Sequence, residues 1–189
     1  MLEFRRSSQL ASAVICCTLS MPPAVARPST EFLLTPGRAG QVEIGMPVDE
    51  LQQRLGEQNV RLVDRRKEGM FTPAIEVRLP SRPAVPAMFA EVREWPCAVF
   101  AVWGVEVKDS RFRTPEGLGV GSTLAELRRA YEIEITQAEG HAAIVKALRM
   151  TFSLTTGPAL DQQRVVSVWL WPDPIGVHTQ RCPDRPFSK

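Results

Sequence analysis

Residues 40–56 read GQVEIGMPVDELQQRLG, and residues 117–131 read GLGVGSTLAELRRAY. Aligning Gly45 with Gly121 sets Val48, Leu51 and Leu55 opposite Leu124, Leu127 and Tyr131. Both apolar sets follow the i, i+3, i+7 spacing that lines one face of a short amphipathic helix. The second helix has a clear start, because Thr123 can cap exposed backbone N–H groups while Glu126 bonds back to the Thr123 N–H. Pro47 stands before the first helix; it presets φ but has no side-chain oxygen to accept such a bond. The first helix is therefore expected to begin less firmly. Gly56 suits its C-terminal end, a signal that Glu132 does not repeat in the second copy.

Strand-like segments follow each helix. Asn59–Arg65 alternates, Lys67-Glu68-Gly69 reads as a turn, and Ala74–Leu79 puts Ile75, Val77 and Leu79 on one face with Glu76 and Arg78 on the other. Pro80, Pro83 and Pro86 then argue against an uninterrupted sheet. Met88–Val92 and Ala98–Lys108 are further strands, the second with a break expected near Gly104. After the second helix come Glu132–Thr136, then one bent strand or two shorter ones within Ala142–Leu154, then Arg164–Trp171. In the last of these, Val166, Val168 and Leu170 should share one face, and Val165, Ser167, Trp169 and Trp171 the other. The fold class is α+β: tandem strand-helix-sheet units, approximately 35–109 and 110–175, with short helices on a largely antiparallel sheet and a Pro-rich tail after them.

The segments IGMPVDELQQRLG and VGSTLAELRRAY resemble the repeat start of the small outer-membrane-assembly lipoprotein family (SmpA/OmlA). The pair of units is also similar to the tandem arrangement of the secreted β-lactamase inhibitor protein. Ile44, Gly45, Met46, Glu50, Leu51 and Gly56 carry the likeness, and more loosely Val120, Gly121, Glu126 and Leu127. It implies short helices on antiparallel sheet and recognition of proteins outside the cytoplasm. It supplies no binding residues for this chain.

The N-terminal stretch reads as a signal peptide. Arg5 and Arg6 precede the short apolar run LASAVICCTL at 10–19, and Ala24-Val25-Ala26 fits a cleavage site after Ala26. That assigns 1–26 to the signal and 27–189 to a mature chain in the periplasm or secreted. The run is too short to span about 30 Å of hydrocarbon, so no transmembrane helix is expected in the mature chain. Lipidation at Cys16 or Cys17 is the minority alternative, and would tether the protein to a membrane surface. Beyond the signal the cysteines are Cys97 and Cys182, a disulfide candidate in an oxidising compartment.

A formal charge of +2 on 189 residues gives no whole-chain field toward nucleic acid, and no nucleic-acid partner is expected. Asp64 and Glu68 interrupt the basic cluster Arg61, Arg65, Arg66 and Lys67. No cofactor or metal motif is present. His141, His178 and the polar loop Asp109, Arg111, Arg113 and Glu116 sustain a small hydrolase or ligand-binding enzyme as one alternative, and a structural envelope protein is another. The leading expectation is an extracytoplasmic protein-binding or inhibitory module. Trp169, Trp171, Arg61 and Arg78 are its candidate contact residues, because aromatic side chains supply large contact areas. Trp103 shares the alternation of Val105 and Val107 and is expected in the core.

Overall fold

A computed structural model of the chain describes residues 30–67, 69–95, 99–137, 141–157 and 159–173. The signal segment, Cys97, Cys182 and His178 lie outside the described residues.

Three two-residue strands, β1 (Leu34–Thr35), β2 (Arg38–Ala39) and β3 (Val42–Glu43), form a small antiparallel sheet that the sequence reading did not foresee. Helix α1 (Val48–Leu55) follows, then β4 (Val60–Lys67), β5 (Met70–Leu79), β6 (Arg82–Trp95) and β7 (Val99–Val107). Helix α2 (Leu124–Ala130) leads into β8 (Glu134–Thr136), β9 (Ala142–Val145), β10 (Met150–Leu154) and β11 (Val165–Leu170). The eight long-sheet strands run in the order β4-β5-β6-β7-β11-β10-β9-β8, and every neighbouring pair is antiparallel. The architecture is α+β, with short helices packed on antiparallel sheet.

One face of the sheet is the core. Ile75, Ala90, Val105, Leu170, Met150 and Val145 stand opposite one another on successive strands, and all are buried. Leu51 from α1 and Leu124 and Leu127 from α2 are fully buried in the same cluster. Val48, Leu55 and Tyr131 pack against its margin. The capping box at Thr123 and Glu126 is formed, whereas Pro47 makes no side-chain cap. At the far end of α1, Gly56 adopts φ 82° and donates its N–H to the Gln52 carbonyl. A positive φ of this kind favours glycine.

Three local readings give way to the register. The prolines do not stop the sheet: Pro83 and Pro86 lie within β6, and the pairing with β5 shifts at Val77/Arg78 and again at Arg78/Leu79 to accommodate them. Bulges relax the ladder where proline lacks its donor. In β7, Glu91 faces Gly104 and Val92 faces Val102, so Trp103 is the extra, bulged residue. Strict alternation therefore fails there. Val102 enters the main core, while Trp103 is half-buried, packs against Ala101 and lies under the Arg93 guanidinium at 4.7 Å. In β11, Ser153 faces Ser167 and Leu154 faces Val165, which leaves Val166 bulged and 48% exposed. Val165 is in the core, contrary to the alternation read from sequence.

Among the described residues, no helix is long and apolar enough to cross a membrane. Ala142–Leu154 resolves into two strands, separated by a 3-10 turn at Lys146–Leu148 and by Arg149 at φ 53°.

Candidate functional site: the sheet face opposite the helices

Side chains alternate across a strand, so the face opposite the helices is specified by the same register. One row crosses the whole sheet as Arg61, Glu76, Phe89, Glu106, Trp169, Thr151, Ile144 and Glu134. Its middle is interlocked. Arg65 reaches from β4 to Glu106 on β7 at 2.6 Å and lays its guanidinium 4.2 Å from the centre of the Phe89 ring. From the other side, the Lys108 ammonium is 3.5 Å from Glu106 and 5.8 Å from the Phe89 ring. Each cation–π contact of this exposure is worth about 0.5–1 kcal/mol. Their joint effect is to set two cations against one aromatic ring at the middle of the row.

Trp169 is seated by a glycine. A Cβ built on Gly104 would approach the Trp169 ring to 2.6 Å, so the indole lies directly over the β7 backbone. Glu91, the cross-strand partner of Gly104 on β6, is buried beside it. The half-buried indole thus presents one side to the sheet while the rest stays accessible.

Of the residues proposed from sequence, Arg61 and Trp169 share this row but stand four strands apart, about 19 Å at ordinary strand spacing. Arg61 is exposed, and among the described residues it has no ion-pair partner. Arg78 reaches the same face through its Nε, which donates to Glu76 at 2.6 Å, and its Nη1 donates to the Pro83 carbonyl. Trp171 follows the end of β11, half-buried, with its backbone N–H on the Arg149 carbonyl at 3.2 Å. The sequence reading missed Phe89, Glu106 and Lys108. Their alternation was visible, but their convergence on Arg65 depends on a register that one strand cannot reveal.

The alternative polar loop is committed to internal bonds. Arg111 donates from Nε and Nη2 to the Asp109 carboxylate, and its backbone N–H also donates there at 2.9 Å. The Arg111 side-chain bond holds the Asp109 carboxyl below its ordinary range, against the opposing effect of burial. Arg111 also lies over Phe32, which meets Phe112 edge-on at 5.3 Å. Arg113 donates to the Val120 carbonyl at 2.7 Å. The Tyr131 hydroxyl bonds to Thr114 at 2.7 Å and to Glu116. Burial, then the Glu116 bond, raises the Tyr131 pKa, and the same bond lowers that of Glu116. These contacts tie the loop to the end of α2. The His141 ring meets Gln163, with Nδ1 2.9 Å from Gln163 Nε2, rather than a carboxylate among the described residues. No group of three or more metal-ligating side chains occurs among the described residues.

No protein-family model matches the chain, and no curated protein matches it. The chain is similar to the crystal structure of the uncharacterized protein yfeY from Escherichia coli, with a TM-score of 0.54 and 14% identity. The match covers 75% of this chain and 99% of that one. At this identity the likeness concerns the fold alone.

Proposed function

We propose that the chain is an exported protein-binding or inhibitory module that engages a protein partner outside the cytoplasm through the sheet face opposite α1 and α2. The observation that carries this reading is the arrangement around Trp169 and Phe89. Both helices pack on the other face, and the exposed side holds aromatic rings between oriented cations and carboxylates. Aromatic anchors surrounded by polar groups are the usual make-up of the energetic centre of a protein interface. The span from Arg61 to Trp169 fits one side of a standard interface of about 800 Å². No cofactor is needed.

The two helix-plus-meander halves, approximately 35–109 and 110–175, are on this reading tandem units. Supporting it, Gly45 and Met46 exchange a pair of backbone bonds with Val102 as Gly121 and Ser122 do with Val165. The residue bulged next along each strand, Trp103 or Val166, occupies the equivalent place. The resemblance to the outer-membrane-assembly lipoproteins and to the β-lactamase inhibitor protein points to the same tandem design. The signal-like segment at 1–26 supports export to the periplasm or beyond.

Affinity capture from the extracytoplasmic fraction tests the proposal, comparing the mature protein with a Trp169→Ala plus Trp171→Ala variant whose fold is checked by circular dichroism. Specific capture by the parent and its loss in the folded variant is the expected result. Equal capture by both forms removes Trp169 and Trp171 from the interface.

A further inference from the structure

The end strand β4 adds its open backbone edge to the face that Arg61 and Trp169 share. It is eight residues long and pairs with β5 without a register shift from Val60 to Lys67, while no strand pairs its outer edge among the described residues. The opposite edge strand, β8, has three residues. Edge strands of soluble proteins are usually shortened, bulged, charged or interrupted by proline, because a row of unpaired N–H and C=O groups templates another strand. Of those devices β4 has charge alone, which selects among partner strands by sign. Its sequence VRLVDRRK carries four cations against one carboxylate. Arg65 turns inward to Glu106, whereas Arg61 and Arg66 are exposed without ion-pair partners among the described residues.

Apolar surface lies between those charges. Leu62 is 71% exposed, and Phe71, opposite Arg66, is 74% exposed. Leu62 faces Ile75 in the register, and Phe71 lies four residues from Ile75, so Leu62, Arg66 and Phe71 share one face while Arg61 is on the other. In the register centred on Val63 and Asp64, pairing with a second copy is disfavoured, because it sets Arg61 against Arg66, like charge against like.

We infer that the outer edge of β4 receives an extended segment of a partner protein that alternates apolar and acidic residues, adding a ninth strand to the sheet. Backbone bonds supply the attachment, Leu62 and Phe71 meet the apolar positions on one face, and Arg61 selects the acidic ones on the other. The inference rests on the reading of the chain as a protein-binding module but uses the open edge of the sheet rather than the Trp169 indole.

The probe is a capped peptide of alternating valine and glutamate, with a valine–lysine peptide of equal length as control. The glutamate peptide should slow amide exchange across residues 60–67 and leave β8 unchanged, and the lysine peptide should bind about tenfold or more weakly. R61E should abolish that preference. The folded Trp169→Ala plus Trp171→Ala variant should bind the glutamate peptide as the parent does, which separates failure at the edge from failure at the face. Equal protection by both peptides, protection elsewhere than β4, loss of peptide binding in the tryptophan variant, or a parent that dimerises through β4 overturns the inference.

Discussion

Gly121 donates its backbone N–H to the Val165 carbonyl at 2.8 Å, and Val165 returns its N–H to the neighbouring Ser122 carbonyl at 2.9 Å. The same exchange joins Gly45 and Met46 to Val102. Each glycine is at positive φ, 93° for Gly121 and 89° for Gly45. The turn that starts each helix is therefore stitched to the strand that closes the same half of the sheet.

Gly121→Ala should destabilise the protein by about 1–2 kcal/mol, the usual cost of a left-handed backbone for a residue with a Cβ. A Cβ at Gly121 meets nothing within 4 Å, so the loss is conformational rather than steric. Gly157 has equal space without a positive φ, and Gly157→Ala should be neutral or mildly stabilising. Urea unfolding of both variants checks this; equal effects would contradict the assignment of strain to the Gly121 turn.

Leu51→Ala and Leu127→Ala should each cost about 2–5 kcal/mol, because both side chains are fully buried and truncation leaves a cavity. Gln52→Ala and Arg128→Ala alter exposed positions. Arg128 does pair with Asp161, but both partners are largely exposed, and such pairs contribute at most about 1 kcal/mol. Chemical unfolding that ranks the polar substitutions above the leucines would reverse the helix orientations.

The helices were legible because their determinants are local. The period of Leu51 and Leu55, the Thr123–Glu126 box and the glycine at 56 all act within a turn or two of chain. The bulges were not, because an extra residue is defined only against the partner strand. Val165 and Trp103 exchanged their expected environments for that reason. The candidate site was half legible: Trp169 and Arg61 were identifiable as residue types on strand faces, while the Arg65–Glu106–Phe89 grouping is made by strands far apart in sequence.

The Tyr131 pKa is raised in the folded state by burial and by its bond to Glu116. Folding thus favours the neutral phenol. That stabilisation is complete below the unfolded value near pH 10 and is lost as pH rises toward the higher folded value. Tyr131→Phe should lower stability at neutral pH through its lost hydrogen bonds and should show a shallower alkaline decline. Asp109 has the opposite sign: its folded pKa is depressed, chiefly by the Arg111 bond, so its contribution is present above about pH 4 and is lost as pH falls through the folded value. Asp109→Asn should flatten the acid limb. Urea midpoints across pH 2–5 and 8–12 read both effects, and profiles parallel to the parent would refute them.

The exported product should begin at Arg27, and Cys97 should be joined to Cys182. Supporting the linkage, β11 runs antiparallel beside β7 with Leu170 opposite Val105, so the chain leaves β11 toward the Val99 end of β7, next to Cys97 in sequence. From Leu170 to Cys182 an extended chain can reach about 40 Å. The long loop closed between Cys97 and Cys182 would contribute on the order of 4 kcal/mol in the chain-entropy account. N-terminal sequencing and non-reducing peptide mapping decide both points: an exported product starting at Met1, or thiols fully alkylatable in oxidised protein, would count against them.

Gly104→Ala tests the seat of Trp169 directly. Gly104 is not at positive φ, so alanine meets no backbone strain there. Its Cβ would lie 2.6 Å from the Trp169 ring and 3.2 Å from the Leu170 carbonyl. The backbone at Leu170 is held between β7 and β10, so the movable group is the indole. The expected result is a change in tryptophan emission and a stability loss of about 1–3 kcal/mol, the range for an overpacked site. If Trp169 anchors the partner protein, Gly104→Ala should also weaken capture while Val166→Ala, at an exposed bulge on the same strand, leaves it unchanged. A folded Gly104→Ala protein with altered emission and undiminished capture would show that the indole orientation does not matter to binding, and the interface would then have to be centred elsewhere on the sheet.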